Sequence, residues 1–373
     1  MTPRLFTPLQ LGPVTLPNRI AVAPMCQYAA ADGVMGDWHL QHLMNLAMSG
    51  AGLVTVEATG VERRGRITHG CVGLYSDEAE AAMKRVMDAA RAVALPDTRF
   101  AIQLAHAGRK ASTQPPFDGG KPLGPAEDPW PTVSASALPF AEGWHTPSAL
   151  DAEGMARVKA AFVTAAERAA RIGFEVIELH MTHGYLMAQF LSPLSNRRAD
   201  AYGGSLENRM RFPLEVAEAV AAVLPARMAW GGRVTGSEWL DGGITPDEAA
   251  ALARELKARG ASFVCVSSGG NSPLSRFPVE KGYQVPFAAH VRREAGEGLA
   301  VRAVGLIVDP HDAEAILERG EADWIALGRA FLDDPRWGWR AAEKLGVAHA
   351  FPPRYARVAP KVWPGAAWLR GAG

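Results

Sequence analysis

The chain has only three cysteines, Cys26, Cys71 and Cys265, far apart and odd in number. They offer neither a disulfide framework nor a C-x-x-C metal or redox pair. A [4Fe–4S] cluster held in the all-thiolate manner needs four cysteines, which argues against that chemistry. Charge of one sign is also missing: Lys+Arg and Asp+Glu both total 39, with no long run of either. Neither nucleic acid nor an anionic membrane surface is therefore expected as a partner. No apolar run approaches a membrane span, and the first six residues lack the apolar core of a signal peptide. A soluble, cytoplasmic protein is the expectation. No G-x-G-x-x-G follows an early strand, so the dinucleotide-binding open sheet lacks its mark.

What the chain does have is eight short, largely apolar segments spread evenly along 373 residues. They fall at 19–25, 52–58, 100–106, 176 onward, 228–234, 263–268, 301–305 and 323–329. Such runs suit parallel strands covered on their outer face. Helical periodicity fills the gaps at 77–93, 151–171, 205–223, 246–259, 286–295 and 310–319, with Ser76 as an N-cap. Repeated strand–helix units favour an α/β fold closed as a (β/α)8 TIM barrel, in one domain spanning 1–373. Residues 110–150 are rich in proline and glycine and too long for a simple crossover. They form an excursion after strand three, either a lid over the barrel mouth or a plain surface loop. The tail at 351–373 carries Phe351, Tyr355, Trp363 and Trp368 among prolines. Those rings need a surface, the barrel's own or a neighbouring subunit's.

Strand ends are where barrel chemistry sits. The fourth strand ends in His180, His183 and Tyr185. Two imidazoles three residues apart can present two donors to one oxygen atom. They can also ligate a metal, but a third ligand at suitable spacing is missing. Gly305 and Gly328-Arg329 end strands seven and eight, where barrels often hold a phosphate against backbone N–H groups. Gln103 and Arg233, on strands three and five, would match the edge of a planar polar heterocycle. Arg233 could instead pair with Glu57 or Glu178. Cys26 and Tyr28 follow strand one, the thiol being either a nucleophile beside a positive group or a soft contact for a ring.

The segments Ala23-Pro24-Met25-Cys26-Gln27-Tyr28, Gln103-Leu104-Ala105-His106-Ala107-Gly108-Arg109-Lys110, His180-x-x-His183-Gly184-Tyr185, Ser267-Ser268-Gly269-Gly270 and Gly328-Arg329 stand in an order that resembles the old yellow enzymes. The likeness is to their thermophilic-like, class III branch near the xenobiotic reductases, and it covers almost the whole chain. It implies a TIM barrel holding FMN, reduced by NADPH or NADH, that reduces activated C=C bonds of unsaturated carbonyl and nitro compounds. By that resemblance His180 and His183 bind the substrate oxygen, and hydride passes from flavin N5 to the β-carbon. Tyr185 protonates the α-carbon, Tyr28 lines the substrate side, and Cys26 tunes the flavin. Pro24, Met25 and Ala58 would pack along the ring, Gln103 and Arg233 would face its pyrimidine edge, and Gly305, Gly328 and Arg329 would hold the phosphate. Arg357 resembles a tail arginine that reaches a neighbour's site, which implies a homodimer or homotetramer.

The sequence departs from the family pattern in three places. Met181-Thr182 replaces two alanines between the histidines. Trp230-Gly231-Gly232 replaces branched apolar residues and is expected to widen the space under the flavin. Val279-Glu280-Lys281 fills a loop where xenobiotic reductases place a tryptophan. The alternative function is a metal-dependent barrel aldolase or hydrolase with His180 and His183 as ligands.

Overall fold

The eight apolar segments become eight parallel strands in the computed structural model, which describes residues 2–349 and 351–370. They are β1 (Ile20–Val22), β2 (Leu53–Gly60), β3 (Arg99–Ala105), β4 (Val176–Met181), β5 (Ala229–Thr235), β6 (Phe263–Ser267), β7 (Ala300–Val304) and β8 (Trp324–Leu327). Each pairs with the next, and β8 pairs with β1 to close the barrel. Every connection returns through the outer layer, which is why the strands run one way.

Strand side chains alternate in direction, and the burial divides accordingly into two cores. Ala21, Ala101, Val176, Ala229, Phe263 and Trp324 cluster in the interior. An antiparallel hairpin, Leu9–Leu11 with Val14–Leu16, supplies Leu11 and Leu16 to the same cluster and stops the N-terminal end. The intervening residues, such as Val22, Val54, Ile102, Ile177 and Val264, pack outward against the helices. This hairpin carried no sequence signal, because three residues per strand are too few to show a period.

The helices form where periodicity and caps coincide. Ser76 accepts Ala79 N–H at the start of Asp77–Val93. Asp151 accepts Gly154 N–H before Ala152–Ile172, and Thr245 with Glu248 forms a capping box for Pro246–Ala258. One helix between β1 and β2, Asp37–Ala47, is additional to the sequence reading. His39 stands in its buried stripe among Leu43, Leu46 and Ala47, while Trp38 lies exposed, so its apolar period is weak.

The excursion after β3 contains short 3-10 turns and a two-residue parallel ladder, Val133–Ser134 with Ser148–Ala149. Trp130 Nε1 donates to Arg64 O at 3.0 Å, and Arg198 Nη1 donates to Leu150 O at 2.6 Å. These bonds tie it to loops at the C-terminal ends of β2 and β4. Phe117, 71 % exposed, meets the Tyr28 ring edge-on at 6.1 Å, so the excursion borders the barrel mouth. In the tail, Phe351 and Tyr355 lie 5.1 and 6.1 Å from the Trp339 ring, while Trp363 and Trp368 stay exposed. Residues 371–373 of the tail lie outside the described residues.

The glycines of β5 do not widen the barrel. A Cβ on Gly231 would stand 2.2 Å from Phe263 O and 2.6 Å from Phe263 Cδ1. The Phe263 ring already fills the volume that a branched side chain would occupy. It packs edge-on to Trp324 at 5.4 Å, with Arg302 over both rings at 5.4 and 4.6 Å. Gly232 faces the other way, where its Cβ would meet Leu256 Cδ1 at 3.2 Å and Met181 Sδ at 3.4 Å. The long Met181 thioether and the missing side chain at 232 therefore compensate each other. Gly231→Ala is expected to destabilise the protein by about 1–3 kcal/mol through overpacking. Gly232→Ala meets only flexible side-chain ends and should cost less. Urea unfolding of both variants checks the order, and an equal loss would contradict it.

Candidate active site

Register along the sheet brings the candidate residues to one end of the barrel. Ala58 lies opposite Gln103, Gln103 opposite Glu178, and His180 opposite Arg233. Beyond the strand ends, Pro24, Met25, His183, Arg233, Gly305, Gly328 and Arg329 line one cavity of about 280 Å³. Tyr185 closes on His180 with ring centroids 4.8 Å apart, and His180 and His183 are 5.2 Å apart. Cys26 and Tyr28 follow β1 close together, and burial first, then Cys26, raises the Tyr28 pKa above the usual phenol range. Arg357 is different. It is exposed on the tail turn Pro353–Val358 and is not among the residues that line the cavity of its own chain.

Arg233 has neither of the carboxylate partners that would make it structural. Glu178 is taken by Arg302, whose Nη2 donates to Glu178 Oε2. Glu57 is taken by His39 at 3.5 Å and by Gln27 N–H at 3.1 Å. Arg233 keeps one contact, Nη2 to Ser267 Oγ at 3.3 Å, and its buried Nε has no partner. Gln103 is oriented by the same arrangement. Its Nε2 donates to Glu178 Oε1 at 2.7 Å, which turns its Oε1 away as a free acceptor. Burial draws the Arg302 pKa down to about 9. Removing Glu178 would leave that cation enclosed without a counter-charge, a loss of about 3–5 kcal/mol.

Both imidazoles are neutral. Burial pulls the His180 pKa well below its ordinary value, with Arg233 and then Lys110 adding to the shift. The same causes act on His183, in the order burial, Arg233, His180 and Lys110. Thr182 N–H points at His180 Nδ1 at 3.4 Å, which assigns the ring proton to Nε2. His183 Nε2 lies 2.9 Å from Ser267 Oγ. Ser267 Oγ accepts from Arg233 and donates to Gln284 Oε1 at 3.3 Å, an oxygen that also accepts from Ser268 Oγ at 2.6 Å. The bond between His183 Nε2 and Ser267 Oγ forms with the ring as donor or as acceptor, according to its tautomer. His180 is left with its Nε2–H to donate.

The histidine turn is held in a demanding conformation. His183 has φ +60° and Gly184 φ +69°. A Cβ at Gly184 would lie 2.4 Å from Asn271 Cα, so two backbones touch here. Lys110 clamps them: its Nζ donates to His183 O at 2.9 Å and to Gly270 O at 2.7 Å. Burial, and then Arg109, lower the Lys110 pKa to about 7. The Met181-Thr182 departure is absorbed locally. Met181 packs outward, and Thr182 Oγ1 accepts from Thr235 Oγ1 at 2.9 Å.

At the cavity's other end the backbone is bare. Gly305 has φ +116°, and a Cβ there would strike Gln284 Nε2 at 2.3 Å. Leu306 follows at φ +49°, with Gly328 and the exposed Arg329 alongside. Lys110, Ser267, Gln284 and Arg302 are working parts that were given no role from sequence. The first two lay inside quoted motifs, but nothing in the sequence marks Gln284 or Arg302.

Among the described residues no three His, Cys, Asp or Glu side chains gather as metal ligands. The model of the NADH:flavin oxidoreductase / NADH oxidase family matches residues 4–347. The chain is 39% identical over 359 residues to an NADPH dehydrogenase of Geobacillus thermodenitrificans, covering 95% of this chain and 98% of that one. It is 40% identical over 361 residues to an NADPH dehydrogenase of Listeria innocua, covering 95% and 99%. Among solved structures it resembles morphinone reductase, with a TM-score of 0.74, 33% identity, and 95% and 93% of the two chains covered.

The neutral imidazoles set a pH dependence of stability. Below about 6.5 the unfolded chain takes up protons on these two rings while the folded protein does not. Stability contributed by keeping them neutral is therefore present above that value and falls as the pH is lowered through it. A protein with His180→Gln and His183→Gln should lose less stability than wild type between about pH 7 and pH 5. Urea midpoints across that range measure the difference, and identical profiles would contradict the neutral assignment.

Proposed function

The chain belongs to the NADH:flavin oxidoreductase / NADH oxidase family, the old yellow enzyme group, and on that premise we propose that it is an FMN-dependent ene-reductase. By membership it is an NAD(P)H:flavin oxidoreductase of the NADPH dehydrogenase type. The observation that carries the finer reading is the enclosed Arg233, with an unpartnered Nε, beside a Gln103 whose Oε1 is free. A donor and an acceptor side by side suit the pyrimidine edge of an isoalloxazine. The bare backbone at Gly305 and Gly328, with Arg329, suits a phosphate at the cavity's other end. Pro24, Met25, Cys26 and Ala58 would lie along the ring. Bound there, FMN supplies hydride, drawn from NADPH or NADH, to the β-carbon of an activated alkene.

The chain's own residues do the rest. His180 Nε2–H and His183, in the tautomer protonated at Nδ1, donate to the carbonyl or nitro oxygen of the substrate. Negative charge grows on that oxygen as hydride arrives, and two fixed donors stabilise it more than they stabilise the ground state. Tyr185 keeps its proton, because burial raises its pKa well above the usual phenol range and nearby Cys26, Tyr28 and Cys71 add to the rise. It holds that proton for the α-carbon. Tyr28, with φ +53°, borders the substrate space together with Phe117. The exposed Arg357 fits a role in a neighbour's site, in a homodimer or homotetramer. With Cys26 and Tyr28 it supports the thermophilic-like branch. The exposed Val279-Glu280-Lys281 loop leaves that rim without the tryptophan of the xenobiotic reductases. No helix among the described residues is long and apolar enough to cross a membrane, and three free thiols accord with a cytoplasmic setting.

Membership of the flavin family displaces the metal-dependent aldolase or hydrolase reading of His180 and His183. The FMN-loaded protein should bleach with NADPH or NADH in the absence of oxygen and regain its colour with 2-cyclohexenone. Tyr185→Phe should leave bleaching intact and slow the enone-driven recovery about 10²-fold. Stopped-flow absorbance follows both steps. Bleaching with no recovery on enones, maleimides or nitroalkenes would refute ene reduction, and a normal recovery in Tyr185→Phe would remove the tyrosine from its role.

A further inference from the structure

Two of the three cysteines, 45 positions apart by their numbers, meet at the site. Cys26 and Cys71 are near enough for each to shift the other's titration. The loops that carry them are joined by backbone. Ala30 N donates to Gly70 O at 2.9 Å, Gly33 bridges to Val72, and a Cβ on Gly70 would stand 2.4 Å from Tyr28 O. The two thiols differ in setting. Cys26 is half-buried, beside Tyr28 and Ala58, on the side of the cavity where the flavin ring would lie. Cys71 is buried behind it, and its sulfur faces Thr68 N at 3.4 Å and Thr68 Oγ1 at 3.6 Å. The Cys71 pKa is lowered, first by its Cys26 neighbour and also by Thr68, against the effect of burial. The Cys26 pKa is raised, first by Cys71 and then by burial.

We propose that Cys26 and Cys71 are a redox-active dithiol that a peroxide converts into an intramolecular disulfide, reversibly switching the site off. The outer sulfur meets the oxidant and the inner one resolves it. Cys26 gives up its proton and its sulfur attacks hydrogen peroxide: an S–O bond forms, the O–O bond breaks, and the leaving hydroxide takes that proton as water. Cys71 then gives up its proton and attacks the Cys26 sulfur: the S–S bond forms, the S–O bond breaks, and the sulfenic oxygen leaves with that proton as the second water. In sum two thiols and one peroxide give one disulfide and two waters, the sulfurs losing the two electrons that the peroxide gains. Hydrogen peroxide is the two-electron product of dioxygen when a flavin oxidoreductase runs without an organic acceptor. The oxidant therefore arises where the thiols are, and the bond would shut off a futile cycle. Forming it draws the Cys26 sulfur away from Ala58 and Tyr28 and removes the S–H. Cys265 takes no part: it is buried in the barrel interior, and burial pushes its thiol up to about 11.

The effect on turnover rests on the flavin reading, whereas the bond does not, so the test reads the bond. The reduced full-length protein, with its visible spectrum recorded, is treated with a few equivalents of hydrogen peroxide, blocked with N-ethylmaleimide, digested and examined by mass spectrometry. A linked peptide joining Cys26 to Cys71, lighter by two hydrogens and released by dithiothreitol, is expected, with Cys265 alkylated. Cys71→Ser, or Cys71→Ala should the serine protein fail to fold, should lose the link and carry Cys26 on to sulfinic acid. Enone reduction by the flavin-loaded wild type should fall with the same dose dependence and return with dithiothreitol. A linked peptide in a protein that binds no flavin would leave the pair standing and sink the cofactor reading. Over-oxidised Cys26 beside a free Cys71 in the wild type, or a link to Cys265, would overturn the proposal.

Discussion

A guanidinium enclosed in protein with, among the described residues, no carboxylate paired to it is the constraint on which the site depends. Arg233 sits near the C-terminal end of β5 with a buried Nε that has no hydrogen-bond partner among those residues. Burying a cation without compensation is costly, so an arrangement of this kind persists where a ligand completes it. The surrounding charges keep it open. Arg302 claims Glu178, and His39 and Gln27 claim Glu57. Among the described residues Ser267 is the one that reaches Arg233, and its hydroxyl links the arginine to His183 and Gln284. The proposed cofactor would meet its donor at β5 in this one under-bonded cation.

The barrel interior is built around that need. Its small residues, Ala21, Ala101 and Ala229, leave room for Phe263, Trp324 and the long Arg302 side chain beneath the mouth. Gly231 is the gap into which Phe263 fits. The floor under the site is therefore aromatic, and the Arg302 charge lies over ring faces as well as against Glu178. Above it, Lys110 binds the carbonyls of His183 and Gly270 and keeps a left-handed histidine in place. Strain at the donor pair is balanced by a buried ammonium one layer away.

Much of this was legible in the sequence, and the rest was hidden for definite reasons. Eight strands and six helices show because apolar period and capping residues agree, as at Ser76 and Asp151. The helix Asp37–Ala47 does not, because His39 stands in its buried stripe and Trp38 lies outside it. His180, His183 and Arg233 could be placed by their position at strand ends. Their partners could not: whether Arg233 pairs with Glu178 depends on Arg302, which arrives from a strand more than sixty positions later. The glycines at 231 and 232 read as loosening, since their compensation by Phe263 and Met181 is a fact of packing across strands. Cys26 and Cys71 read as isolated for the same reason, because the contact between them is made by two loops folding together.

The central claim is that Arg233 and Gln103 wait, pre-positioned, for the polar edge of a planar cofactor. The direct measurement is FMN affinity, by fluorescence quenching on titration of flavin into the stripped protein, for wild type and for Arg233→Met. Loss of a charge-assisted hydrogen bond at a buried site is worth about 2 kcal/mol or more, so the variant should bind FMN at least ~30-fold more weakly. A folded Arg233→Met protein that binds FMN as tightly as wild type would contradict the account.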